Sequence, residues 1–362
     1  MTKVRIKDIA LKAGVSVGTV DRVIHGRGRV GKDAEKKVKA AIEQLNYQPN
    51  LAARSLARNK THKIAIVLPN YEADEFWESQ KKGVLRALKG IKHYGIVGDF
   101  LTFNDQIHGD LLNLIPTILE GDYEALIIAP TLSEDAEIIF KECEKQEIHY
   151  VQINSFLERT NKFSLGYVGQ DSYQSGKLAG KLLNMTTPST SSLALVHMET
   201  DVENSNHMIS KESGFYDYFQ SSEFSRVKTF NFPDFDNKEK LLNFVDQLTR
   251  GSDAVRGIFV TTSRVHHLVD ALIELNRQNI SLVGFDIIQN NIEALSRYSS
   301  LFLINQNPSL QGFYGTMRLF DFIMRHKRDD SEKYLPLDII TLENVNNYKH
   351  IQDRDNIAFN IL

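Results

Sequence analysis

From Lys63 onward one arrangement repeats along most of the chain: a short run of β-branched and other apolar residues, then a stretch with helical periodicity. KIAIVLP precedes ESQKKGVLRALKG, and GIVGDFLTF, ALIIAP, HYVQINS, LGYVGQD, LALVHM, GIFVTT, LVGFD and LFLINQNP follow, with helical patterns between most of them. Strands alternating with helices predict parallel sheets in an α/β architecture. At about 150 residues per domain a chain of 362 residues predicts two or three domains, and this body is long enough for two lobes. Charged residues make up 25% and hydrophobic residues 42%, which fits a folded, soluble chain and argues against disorder. The single cysteine, Cys143, excludes an internal disulfide framework, fits a reducing compartment and is expected to pack as a small buried hydrophobe. The first residues carry no apolar run of signal-sequence length, and no stretch of about 18 apolar residues could span a bilayer. A cytoplasmic location away from membranes is therefore expected.

The segment before Lys63 obeys different rules. Residues 1–63 hold 15 Lys and Arg against 5 Asp and Glu, leaving 28 against 41 for the remainder, so a basic module precedes an acidic body. Such a charge on so short a segment points to a polyanion. VRIKDIALKAG predicts a helix with Ile6, Ile9, Ala10 and Ala13 inward, ended by Gly14, which can take the positive φ of a tight turn. Ser16 is a good N-cap, so the next helix should begin at Val17. On it Val20, Val23 and Ile24 share one side, while Val17, Gly18, Asp21, Arg22 and His25 share the other. DAEKKVKAAIEQLNY supplies a third helix with Val38, Ala41, Ile42 and Leu45 on one stripe. The layout is that of a helix-turn-helix unit.

The run VRIKDIALKAGVSVGTVDRVIHGRGRV, continued by VKAAIEQLNYQPNLAARSLARNKTHKIAIVLP, resembles the headpiece, hinge and first strand of the LacI family of bacterial transcription regulators over about sixty residues. The resemblance implies a small all-α three-helix DNA-binding headpiece (1–48), a hinge helix or linker (49–61) and a two-lobed α/β effector-binding and dimerisation domain (62–362) of the periplasmic-binding-protein type with parallel sheets. It divides that domain into lobe one, about 62–164 plus 301–328, and lobe two, about 165–300 plus 329–362. It puts the second helix in a major groove, with Val17 and Gly18 at base edges, Arg22 positioned to meet a guanine and Thr19 at phosphate. It extends the DNA-binding set to Lys7, Ser16, His25 and Arg29, and to Asn50, Ala53, Arg54 and Leu56 of the linker. There Leu56 occupies the position that wedges a base step in the minor groove. Asp21 stands where the family often has serine, and Gly31 where serine or threonine usually caps the third helix.

Across the body EFWESQKKG, GQDSYQSGKLAG, LVGFD and INQNPSLQG are similar in spacing to the family's sugar-binding type of ligand domain. Ligands of such folds sit in the crevice at the carboxyl ends of the strands. Asp74, Phe76 and Trp77, the sole tryptophan, follow the first strand; Asn154, Asp286 and Gln306 follow later ones. An aromatic ring for a sugar's C–H face and carboxylates and amides for its hydroxyls suit a sugar or sugar derivative. Thr262 replaces a frequent asparagine, and Ile209 or Lys211 fills the slot of a ligand-clamping arginine, so charged donors are expected to be lost and an acidic, derivatised or larger ligand is admitted. No G-x-S-x-G, Walker or H-E-x-x-H motif is present. His266 and His267 are adjacent and expected on different helix faces, so no catalytic set, metal site or cofactor is expected. The partners implied are a near-palindromic operator duplex, a small-molecule effector and a second copy in a homodimer, since HIQDRDNIAFNIL lacks the leucine heptads of a tetramer. The rival expectation is a cytoplasmic small-molecule sensor that associates with nucleic acid only nonspecifically.

Overall fold

The computed structural model describes residues 4–25, 28–45, 47, 61–72, 74–158, 161–223 and 226–348. The chain forms two compact units, divided at Asn59/Lys60. In the first, α1 (Ile6–Ala13) ends at Gly14 with φ 66°, and α2 (Val17–His25) and α3 (Lys32–Gln44) follow. Ile9, Ala10, Ala13, Val20, Val38 and Ala41 form the core, with Ile6, Val23, Ile24, Ile42 and Leu45 packed around it. Ser16 Oγ accepts from Thr19 N at 3.1 Å and so caps α2. Gly31 leads into α3 with no side-chain cap.

The second unit holds two six-stranded sheets among its described residues. The first runs β2 (Ile96–Phe103), β1 (His62–Pro69), β3 (Ala125–Ile128), β4 (His149–Ile153), β5 (Ser164–Gly169) and β11 (Glu332–Tyr334), all parallel. The second runs β7 (Val227–Asn231), β6 (Ser192–His197), β8 (Val255–Val260), β9 (Ser281–Phe285), β10 (Leu301–Asn305) and β12 (Asp338–Ile340), with only β12 antiparallel. Alternation sends successive residues to opposite faces: Ile64, Ile66 and Leu68 of β1 enter one core, Ala65 and Val67 another. Cys143 is buried, as expected.

Two expectations about the lobes are corrected. β5 pairs with β4 and so belongs to lobe one, although 165–169 was assigned to lobe two. β10 pairs with β9 and β12, which moves 301–305 to lobe two, while β11 pairs with β5 and keeps 332–334 in lobe one. Backbone pairing fixes these allegiances, and the chain crosses between lobes after β5, after β10 and after β11. Strands β7, β11 and β12 lie outside the apolar runs read from the sequence, being exposed or short edge strands.

Candidate ligand cleft and nucleic-acid face

Both sheets repeat one order, in which the first strand of the lobe lies between the second and the third. Helices must then leave neighbouring strands toward opposite faces of the sheet, and a crevice opens at the carboxyl ends of those strands. The cleft found there is lined from both lobes. All eight residues expected to meet a ligand line it: Asp74, Phe76, Trp77, Asn154, Lys211, Thr262, Asp286 and Gln306.

Local structure explains the placement. Asp74 caps α4 (Glu75–Ile91), accepting from Phe76 N at 2.8 Å, and thereby fixes the first turn that carries Phe76 and Trp77. The two rings meet edge to face with centroids 4.9 Å apart; both join the lobe-one core and both border the cleft. Asn154 and Asp286 hold the same left-handed conformation, φ 66°, immediately beyond β4 and β9. Asn and Asp tolerate that region better than other non-glycine residues, and strained backbone of this kind gathers at binding sites. The Tyr167 hydroxyl donates to Asn154 O and Gln170 O, both at 2.9 Å, anchoring the strand end.

The arginine slot is filled by Lys211, 2% exposed on α8 (Asn206–Glu223), while Ile209 is 45% exposed. Lys211 Nζ donates to Thr261 O at 2.9 Å, reaches Gln306 Oε1 at 3.4 Å and lies 3.8 Å from the Phe285 ring centroid. Asp286 accepts from Gln306 through both N, at 3.0 Å, and Nε2. Burial pushes Asp286 up and Lys211 down, and each charge opposes the other's shift.

Charged donors are therefore present, contrary to expectation. Arg264 enters beyond β8, pairs with Glu199, donates to Met198 O at 2.6 Å and lies 4.5 Å from the Phe235 centroid. Asp105, Thr131, Glu199, Ser205 and His207 also line the cleft. Burial, then Glu199, raises Asp105 to about 6; burial, then Lys211, pushes His207 down to about 3. These residues went unread, yet Asp105 follows β2, Thr131 follows β3, Glu199 follows β6 and Arg264 follows β8 within a few positions, so strand ends were the available signal. The rings of His266 and His267 lie 4.2 Å apart but meet different partners, His266 bonding Asn291 and His267 lying against Phe235. Among the described residues no group of three His, Cys, Asp or Glu side chains could hold a metal ion.

In the first unit Lys7, Ser16, Val17, Gly18, Arg22 and Arg29 are exposed and Thr19 is half-buried, its hydroxyl 2.9 Å from Ser16 Oγ. Asp21 acts on the Tyr47 hydroxyl, whose pKa burial raises first and the Asp21 charge second. The side chain of His25 and all of Asn50, Ala53, Arg54 and Leu56 lie outside the described residues, as does the C-terminal run from His350.

A helix-turn-helix unit followed by a two-lobed binding domain defines a class of DNA-binding proteins controlled by a small molecule. Residues 64–325 match a family model described as periplasmic binding protein domain, and residues 5–50 match bacterial regulatory proteins, lacI family. The chain belongs to the LacI family and is a DNA-binding transcription regulator. It is 25% identical to the ribose operon repressor of Lactococcus lactis subsp. lactis over 346 residues, 94% of this chain and 97% of that one. A solved Bacteroides fragilis protein described as a LacI transcriptional regulator shares its fold, with a TM-score of 0.72 at 23% identity over 80% of this chain and 100% of that one. So does GanP, a glucose-galactose binding protein from Geobacillus stearothermophilus, with a TM-score of 0.67 at 16% identity over 79% and 99%. No helix among the described residues is long and apolar enough to cross a membrane.

Proposed function

We propose that the protein is a cytoplasmic, homodimeric repressor whose affinity for a near-palindromic operator is set by a sugar or sugar derivative enclosed between its lobes. One observation carries the reading: residues spread from Asp74 to Gln306 converge on a single cleft that offers Phe76 and Trp77 beside carboxylates, amides and hydroxyls. Aromatic faces match the C–H side of a sugar, and the polar rim matches its hydroxyls. The names of the ribose operon repressor and of the glucose-galactose binding protein support the ligand class. In this reading Val17, Gly18 and Arg22 read bases, Lys7, Ser16, Thr19, His25 and Arg29 position the helix on phosphates, and the linker from Asn50 to Leu56 enters the minor groove. Arg22 supplies the main direct readout, since its guanidinium can meet both acceptors of a guanine while Gly18 offers no side chain.

The test follows Trp77, the only tryptophan, during titration with sugars and polyols, then repeats each hit with operator DNA. A saturable fluorescence change that alters DNA affinity is expected. Selected palindromes should bind at least about 10³-fold more tightly than random duplex at fixed salt. Equal affinity for both would instead identify a sensor with only nonspecific nucleic-acid association.

A further inference from the structure

We infer that the ligand enclosed between the lobes is an aminated sugar or polyol, whose ammonium group lies between Asp74 and Asp105 at the lobe-one side of the cleft. The inference rests on the effector reading of that cleft and specifies its ligand.

The argument is a charge balance. Lys211 and Arg264 are the only Lys or Arg among the described lining residues, and both are engaged, Lys211 beside Asp286 and Arg264 with Glu199. His207 stays neutral because burial disfavours its proton. Asp201 accepts from Asn204 N at 3.2 Å. Asp74 and Asp105 remain, and the only cation that acts on either is Arg264, which Glu199 already pairs. Asp74 spends one oxygen on the helix cap of Phe76 N and is itself pushed up by burial. Asp105 feels Glu199 and Asp74 as like charges, against the attraction of Arg264, which Glu199 shares, and a side-chain hydrogen bond from Gln106. The cleft lining thus holds five carboxyl groups, Asp74, Asp105, Glu199, Asp201 and Asp286, against the two cationic side chains of Lys211 and Arg264.

Asp74 and Asp105 are half-buried, and an excess of carboxylates in a partly desolvated cleft favours a cationic partner. A metal ion would need a ligand cluster that the described residues do not form. An ammonium group needs only one or two carboxylates and supplies up to three donors. A separate observation marks the same region as a ligand surface. Thr131, 6% exposed and lining the cleft from lobe one, has a buried hydroxyl without a hydrogen-bond partner. A ligand group that bonds Thr131 while its ammonium meets Asp105 would satisfy both, and Trp77 would cover the ring.

The experiment uses the full chain and calorimetric titration near neutral pH. D-glucosamine, D-galactosamine and D-mannosamine are compared with their parent hexoses and their N-acetyl forms, which keep the scaffold and remove the charge. At least one amine should bind about 10-fold or more tightly than both neutral counterparts, the ratio that a single charge-assisted hydrogen bond gives. Asp105→Asn should abolish that preference, and Asp105→Glu should retain it, with both variants checked for unchanged thermal unfolding. Neutral sugars binding as well as the amines, or a preference that survives in Asp105→Asn, would overturn the inference. Binding by neutral sugars alone defeats it but leaves the effector reading intact; no binding by any compound in the panel counts against both.

Discussion

Lys211 and Asp286 illustrate how a buried pair commits its two residues to each other. Neither has access to bulk water, and Gln306 joins them through its backbone N and its side chain. Taking one charge away leaves the other buried without compensation, a change that typically costs about 3–5 kcal/mol, whereas replacing both with apolar groups is often neutral. Asp286→Asn alone should therefore lower stability at neutral pH by several kcal/mol, and Lys211→Met in the same chain should restore much of it. Chemical denaturation of the two single variants and the double variant checks this, since strictly additive losses would mean that the two side chains are uncoupled. Asp286 was legible because LVGFD puts it just past a strand. Lys211 was legible only as one of two choices, because helical register alone does not say whether position 209 or 211 turns toward the strand ends. Arg264 and Asp105 escaped notice because they stand on loops, where no periodicity marks direction.

Helix pairs within each lobe are set by glycines that no hydrophobic pattern reveals. Gly83 on α4 lies against the first turn of α12 (Pro308–Arg325), and a Cβ added there would come within 1.9 Å of Ser309 O. A Cβ added at Gly176 of α7 (Ser172–Thr186) would likewise come within 1.9 Å of Lys211 O, so the backbone that carries the cleft lysine is packed directly on that helix. Neither contact is with a flexible side chain, so the helices themselves must separate. Gly83→Ala and Gly176→Ala should each destabilise the protein by about 1–3 kcal/mol through overpacking. Gly176→Ala should in addition weaken ligand binding, because displacing α8 moves Lys211 away from Thr261 and Gln306. A Gly176→Ala variant that melts earlier but binds its ligand normally would separate the helix contact from the site. The alternation of strands and helices was readable along the chain because each strand's apolar run is short and bounded. Lobe membership was not, because β5, β10 and β11 are allocated by hydrogen bonds to distant strands, and a sequence does not display its partners.

Across the whole effector domain, polar contacts bridge the lobes at the cleft mouth. One of them is a helix cap supplied from the opposite lobe. Asn204 of lobe two accepts from Ser133 N through its backbone oxygen and from Glu134 N through Oδ1, both at 2.9 Å, at the start of α6 (Ser133–Lys145) in lobe one. Those N–H groups are among the donors that a helix cannot satisfy by itself. Asn206 Nδ2 donates to Phe156 O at 2.6 Å, and Gln106 donates to Glu199 at 2.5 Å while accepting from Thr200 at 2.7 Å. Each bridge exists only while the lobes are together, so its loss weighs on the closed arrangement and leaves the folding of either lobe nearly untouched. Asn204→Ala removes a cap worth about 0.5–2 kcal/mol. If ligand binds the closed arrangement, affinity should fall by roughly 2- to 30-fold while the melting temperature of the ligand-free protein barely moves. Linkage then fixes the consequence for DNA: the variant's operator affinity without ligand must shift opposite to the shift that ligand produces in the parent chain. Measuring ligand affinity, melting temperature and operator affinity on the same preparation checks all three. A variant that loses ligand affinity without the opposite change at the operator would show that lobe closure is not what the headpiece senses.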